Sequence, residues 1–162
     1  MLAFQAGDRG AFEALFRRYT APLVTFLARM VPDRGRAEEL AQEVFLRIYN
    51  ARERYEPRAR FSTWMFGIAH NLALNELALA YRKREQALGP EVAPVADPAA
   101  AADDQLDAKR AAERLQLALT RLPDRQRSAL LLRAEHGLSY EEIGEAVGSS
   151  VSSVKSLLHR AR

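Results

Sequence analysis

Three constellations of side chains in this 162-residue chain carry donor, acceptor or stacking chemistry. The closing stretch "GSSVSSVKSLLHRAR" combines Ser150, Ser152, Ser153 and Ser156 with Lys155, His159 and Arg160. Short hydroxyls let a backbone approach closely and can bond phosphate oxygens or base edges, while the cations meet phosphate. Further upstream, Trp64, Asn71, Asn75 and Arg82 share one face if their segment is a helix turning about 100° per residue. Aromatic side chains stack on bases and amides read base edges, so this stripe also suits a nucleic acid. The alternative is a core tryptophan beside solvated amides, and the neighbouring Ile68 favours it. Glu39, Gln42, Glu43 and Leu46 form a third set at i, i+3, i+4, i+7. An acidic stripe repels phosphate, so its partner is a protein or simply solvent.

These residues need helices to position them, and the hydrophobic spacing supplies helices throughout. Phe12, Leu15, Phe16 and Tyr19 form one apolar stripe, and Leu23, Phe26, Leu27 and Met30 repeat it up to Pro32-Asp33. Ala37, Leu40, Ala41, Val44 and Ile48 form another. A further helix opens at "FSTW" with Ser62 or Thr63 as cap, and Met65, Ala69, Leu72, Ala73 and Ala80 lie on its core side. Leu115, Leu119 and Leu122 lead into Pro123-Asp124, and "RQRSALLLRAEHG" continues as helix. In "GLSYEEIGEAVGSS", Ser139 and Glu142 fit a capping box, Ile143 and Val147 face inward, Gly148 suits a left-handed helix end, and Ser150 caps the next helix. Val151, Val154, Leu158 and Ala161 are that last helix's buried stripe. The pair reads as a helix-turn-helix, whose second helix enters a major groove. No segment alternates as a strand, so the fold class is all-α.

Between the helical units lies "LGPEVAPVADPAAAADD", with Pro90, Pro94 and Pro98 breaking any helix. It reads as a flexible acidic linker over 86–105, separating a unit at 1–85 from one at 106–162. From Glu85 to Asp107 every charge is negative, and from Ser149 to Arg162 every charge is positive. Arg60, Arg82, Lys83 and Arg84 face Glu76 alone in the middle segment. Two basic segments flanking an acidic one fit two nucleic-acid contacts, although the net charge is only +3.

Composition removes other classes. There is no cysteine, and the three histidines are far apart, so no metal site or disulfide is expected. No nucleophile–base set or P-loop appears, so neither enzymatic chemistry nor a cofactor is expected. No apolar run nears the roughly 18 residues of a membrane span, and a cytoplasmic protein without membrane insertion is the expectation.

Four motifs in one register then identify a resemblance: "AEELAQEVFLRIY" (Ala37–Tyr49), "FSTWMFGIAHNLALNEL" (Phe61–Leu77), "LPDRQRSALLLR" (Leu122–Arg133) and "GLSYEEIGEAVGSSVSSVKSLLHRAR" (Gly137–Arg162). Together they resemble bacterial sigma factors of the extracytoplasmic-function (ECF) group over nearly the whole chain. The resemblance implies promoter recognition within RNA polymerase holoenzyme. Glu39, Gln42 and Glu43, with Phe45 and Arg47, would dock on the β′ clamp helices of the core enzyme. The loop "ERYEPRARFST" and the helix after it would read and melt the −10 element. The residues implied are Arg58, Arg60, Phe61, Ser62, Thr63, Trp64, Asn71, Asn75, Arg82, Lys83 and Arg84, with Asn71 near a flipped base.

Housekeeping relatives carry a wedge pair of aromatics three and four positions after the aromatic ending FSTW. Here Gly67 and Ile68 occupy those places, implying weaker melting and stricter dependence on both promoter elements. The last helix would read the −35 element, with Leu157 where relatives often carry Arg. The acidic linker would thread the polymerase cleft, and the apolar surplus of "ALLLR" would meet either the β flap, an anti-sigma factor or its own core. A stand-alone helix-turn-helix regulator is the other reading, and it leaves "FSTW" and the Glu39 stripe without a role.

Overall fold

The protein, a computed structural model, is described over residues 1–87 and 104–160. The linker reading therefore falls almost wholly on residues outside the described ones, as do Ala161 and Arg162. The described residues form helices α1 (Leu2–Gln5), α2 (Arg9–Met30), α3 (Arg34–Asn50), α4 (Phe61–Ala87), α5 (Asp104–Thr120), α6 (Asp124–Ala134), α7 (Tyr140–Val147) and α8 (Val151–Arg160), with a 3-10 turn at Arg52–Arg54. Helix α4 runs two residues into the stretch assigned to the linker, and α5 begins inside its other end.

Helices start where short acceptors meet free backbone N–H groups. The Asp8 carboxylate accepts from Ala11 N and that of Asp33 from Arg36 N. The two apolar runs before Pro32 are one helix, because Leu23 continues the Tyr19 spacing and Pro22 interrupts only one rung of the ladder. Helix α4 corrects one expectation. It begins at Phe61, with Trp64 N bonded to the Arg60 carbonyl, so Ser62 and Thr63 lie inside the first turn and neither caps it.

Helices α2, α3 and α4 bury Leu23, Phe26, Leu27, Met30, Leu40, Val44, Ile48, Met65, Ala69 and Ala73 against one another. Helices α6, α7 and α8 bury Leu131, Leu132, Ile143, Val147, Val154 and Leu158. Ala129, Leu131 and Leu132 of "ALLLR" fill this core, and Leu130 is half-buried against it. Ala80, Phe16 and Leu115, read from spacing as core positions, are exposed.

The two units are packed together, which the sequence did not disclose. α4 crosses α7, and α2 meets α6. Behind that crossing, the Arg127 guanidinium, 4% exposed, donates to the Met30 carbonyl at 2.7 Å and to the Asp124 carboxylate at 2.7 Å. His70 Nδ1 lies 2.8 Å from the Ser128 hydroxyl, both buried. Arg29 pairs with Glu135 at 2.7 Å, and the His136 ring stacks on Phe66 with centroids 4.2 Å apart. Gly67 interrupts α4 at a cost of roughly 0.5–1 kcal/mol relative to alanine. Its reason is contact: a Cβ there would stand 3.2 Å from the Ala146 carbonyl oxygen of α7.

Candidate nucleic-acid interface

The loop before α4 is held from several sides. Gln5 donates its side-chain amide to the Glu53 and Tyr55 carbonyls. Tyr55 is buried and its ring lies 4.9 Å from that of Trp64, burial pushing its phenol pKa up. Trp64 also meets Phe61 at 6.1 Å, and Phe61 meets Tyr19 at 5.2 Å. Trp64, half-buried in this aromatic row, also lines a cavity.

That cavity, of about 330 Å³, is lined by Arg58, Ala59, Thr63, Trp64, Gly67, Ile68 and Asn71, with Glu145 and Ala146 of α7 along one wall. Its volume is at the lower end of the range for small-ligand clefts. Thr63 is 1% exposed, and its hydroxyl oxygen has no hydrogen-bond partner. A buried hydroxyl left unpaired costs about 1–3 kcal/mol, and this oxygen is closed off from solvent while the Thr63 side chain contributes to the cavity wall.

Among the residues read from sequence as −10 contacts, the fold thus brings Arg58, Thr63, Trp64 and Asn71 to one cavity. Phe61 supports from behind, and Ser62 is half-buried beside it. Asn75 is exposed outside the cavity lining, and Arg82, Lys83 and Arg84 follow along the exposed end of α4. Arg82 lies roughly 16 Å along the axis from Asn71 at 1.5 Å per residue. Arg60 reaches the other way, 3.4 Å from the Glu142 carboxylate.

The helix-turn-helix follows the sequence reading closely. Ser139 accepts from Glu142 N while the Glu142 carboxylate accepts from Ser139 N, completing the capping box. Gly148 takes φ +65°, and Ser150 accepts from Ser153 N. Ser152, Ser153, Lys155, Ser156, His159 and Arg160 are all exposed on α8. Ser150 is already committed as a cap and lies 3.0 Å from the Ser152 hydroxyl, which leaves it less free for DNA. The reading overlooked Gly144, where a Cβ would stand 2.7 Å from the Ser149 carbonyl oxygen. A glycine inside a helix just before a turn was the available signal.

On α3, Glu39, Gln42 and Leu46 are exposed and Glu43 half-exposed, but the acids are not free. Arg36 bridges Glu39 and Glu76 at 2.7 Å each, and Arg47 holds Glu43 at 2.6 Å. Phe45 is only 4% exposed, packed 4.6 Å from the Phe16 ring, so as a docking residue it shapes the surface from beneath. Beside it runs a groove lined by Phe16, Thr20, Val24, Glu38, Ala41, Gln42 and Phe45, which combines α2 with α3 and was invisible in either helix's pattern.

Comparison with known proteins now bears on this geometry. The Sigma-70 region 2 model matches residues 15–85, and the Sigma-70, region 4 model matches residues 112–162. The chain belongs to the sigma-70 family. The RNA polymerase sigma factor CarQ of Myxococcus xanthus is 38% identical, covering 99% of this chain and 90% of its own. The ECF sigma factor SigW of Bacillus subtilis is 30% identical, covering 96% and 87%. Among solved structures, CnrH in complex with the cytosolic domain of CnrY superposes with TM-score 0.73 at 22% identity, covering 98% of this chain and 86% of that one. RpoE with the anti-sigma factor NepR from Bartonella quintana gives 0.71 at 21%, covering 94% and 92%. The protein is an ECF sigma factor, non-enzymatic, which directs core RNA polymerase to promoters. Region 2 spans α2 to α4 and region 4 runs from α5 through α8. No described helix is long and apolar enough to cross a membrane.

Proposed function

We propose that this sigma factor divides promoter recognition between the α4 cavity and α8. The cavity takes an unstacked base of the −10 element. Trp64 offers a face for stacking, Asn71 and the Thr63 hydroxyl offer hydrogen bonds to a base edge, and Arg58 and Arg60 meet the flanking phosphates. Arg82, Lys83 and Arg84 extend the phosphate track along α4. The observation that carries this reading is a single cavity lined by Arg58, Thr63, Trp64 and Asn71. Extraction of a base costs a few kcal/mol of unstacking, and those partners offset it without an aromatic wedge at Gly67 and Ile68.

Helix α8 reads the −35 element through Ser152, Ser153, Lys155, Ser156, His159 and Arg160, with Ser150 as its cap. The face of α3 bearing Glu39, Gln42, Glu43 and Arg47 docks on the β′ clamp helices, with Phe45 beneath. Units at 1–85 and 106–162 divide these tasks across a tether at 86–105, and the protein works in the cytoplasm. Because CnrH and RpoE are recorded with CnrY and the anti-sigma factor NepR, an anti-sigma factor is assigned to this chain as well. Run-off transcription with core polymerase on a promoter library tests the scheme. Asn71→Ala should impair open-complex formation at least tenfold while leaving polymerase binding near wild type. Equal loss of both would remove Asn71 from the base-reading role.

A further inference from the structure

We infer that Gln5 is a positioning residue for −10 recognition, its side-chain amide fixing the loop that carries Arg58 to the α4 cavity. The inference rests on the assignment of that cavity to a −10 base. The Sigma-70 region 2 model begins at residue 15, so Gln5 lies outside it. Helix α1 has four residues, too few to persist by its own hydrogen bonds. It is held instead at two points. Phe4 is buried, its ring centroid 4.8 Å from that of Phe12 and 5.3 Å from that of Tyr49, with the Arg52 guanidinium over both Phe4 and Tyr49. The Gln5 amide nitrogen, which has two hydrogens, donates to the Glu53 and Tyr55 carbonyls at 3.2 Å each. Gly7, at φ +100°, then turns the chain into Asp8, which caps α2. Residues 4–8 thus form a strap from the start of α2 to the 3-10 turn.

What the strap holds leads directly to the cavity. The Tyr55 carbonyl accepts from Gln5, while the Tyr55 ring lies 4.9 Å from that of Trp64, a cavity wall. Only Glu56 and Pro57 separate Tyr55 from Arg58, another lining residue. Proline fixes its own φ and restricts the residue before it, so this link has little slack. Displacement of the Tyr55 backbone is therefore passed to Arg58 and Trp64 together. The Arg58–Glu56 pair ties the loop only to itself, so it does not replace the strap. Gln5 is exposed, and its bonds compete with water, so they add little to global stability. A bond of ordinary net strength still shifts a local equilibrium by roughly two- to tenfold. That is enough to set how often the loop presents its reading geometry.

Gln5→Met keeps the length of the side chain and removes both donors, whereas Gln5→Lys supplies donors again. Each full chain would be assayed with core polymerase by run-off transcription on the best promoter of a library and on copies substituted singly in the −10 or the −35 element. Amide hydrogen exchange over residues 54–60 reads the loop itself. In Gln5→Met, exchange there should rise and −10 discrimination should fall, each at least threefold, while −35 discrimination, core binding and melting temperature stay at wild type. Gln5→Lys should recover most of the −10 discrimination. Unchanged −10 discrimination, unchanged exchange, or an equal loss at both promoter elements would overturn the positioning role. So would a Gln5→Lys chain as impaired as Gln5→Met. Asn71→Ala, run alongside, separates the two readings. If it removes −10 discrimination while Gln5→Met does not, the strap fails and the base assignment stands. If Asn71→Ala leaves discrimination intact, the base assignment fails and takes the strap's role with it.

Discussion

At the scale of single residues, Thr63 and Lys155 show two kinds of polar group. Thr63 is buried with nothing to bond, a cost that native cores rarely tolerate without use. Thr63→Val keeps the shape and removes the orphan hydroxyl. It should hold or raise stability, by up to about 1 kcal/mol, and slow promoter opening; thermal melting and permanganate reactivity of the −10 region would read the two effects. A fall in stability would mean that the hydroxyl has a structural partner. Lys155 is exposed on α8, and the phosphate contact proposed for it is electrostatic. Lys155→Ala should weaken promoter binding and reduce the log–log salt slope by about 0.9. An unchanged slope would place its ammonium away from the backbone.

At the scale of elements, the helix-turn-helix depends on two glycines for different reasons. Gly148 provides a left-handed end at φ +65° with open space around it. Gly144 has ordinary helical torsions but would drive a Cβ to 2.7 Å from the Ser149 carbonyl oxygen, a backbone atom that cannot swing aside. Gly148→Ala should cost on the order of 1 kcal/mol. Gly144→Ala should cost more, because the turn itself must move, and urea denaturation of the two variants would rank them. The capping box and the α8 stripe were legible in sequence because both are local: they depend on residues three or four apart. The start of α4 was misread because Ser62 and Thr63 are good caps by type, while the chain entering from Arg60 placed them one turn too late to act. Phe45 was placed in the docking set by the resemblance. Only the approach of α2, bringing Phe12 and Phe16, turned it inward.

At the scale of the whole molecule, the interface between regions carries two imidazoles, His70 buried and His136 half-buried. His70 is pushed down to about 4 by burial and, secondarily, by the Arg125 charge. His136, packed by Phe26 and Phe66, is likewise lowered to about 4 by burial and by Arg29, itself paired with Glu135. Both are neutral while the two regions are packed together and bind protons more readily once exposed. Their contribution to that packing is therefore complete above about pH 6.5 and is lost as pH falls toward 4. Scattering across that window should show expansion on acidification, and His70→Gln with His136→Phe should flatten the response. A wild-type radius constant from pH 7 to 4 would contradict the linkage.

The sequence by itself determined the helices, the helix-turn-helix with its caps, the two regions and the family, since each follows from local periodicity or from motifs in register. It also supplied the residue types that the proposed base pocket needs, because Trp64 and Asn71 sit seven residues apart on one helix. Only the tertiary structure decided that Thr63 is unpartnered, that Arg58 reaches the same cavity, and that α7 forms its wall. The last of these depends on contacts between residues some 80 positions apart, such as Gly67 and Ala146. Spacing within a helix fixes which face a side chain takes, whereas what lies opposite that face is set by how all the helices share one core.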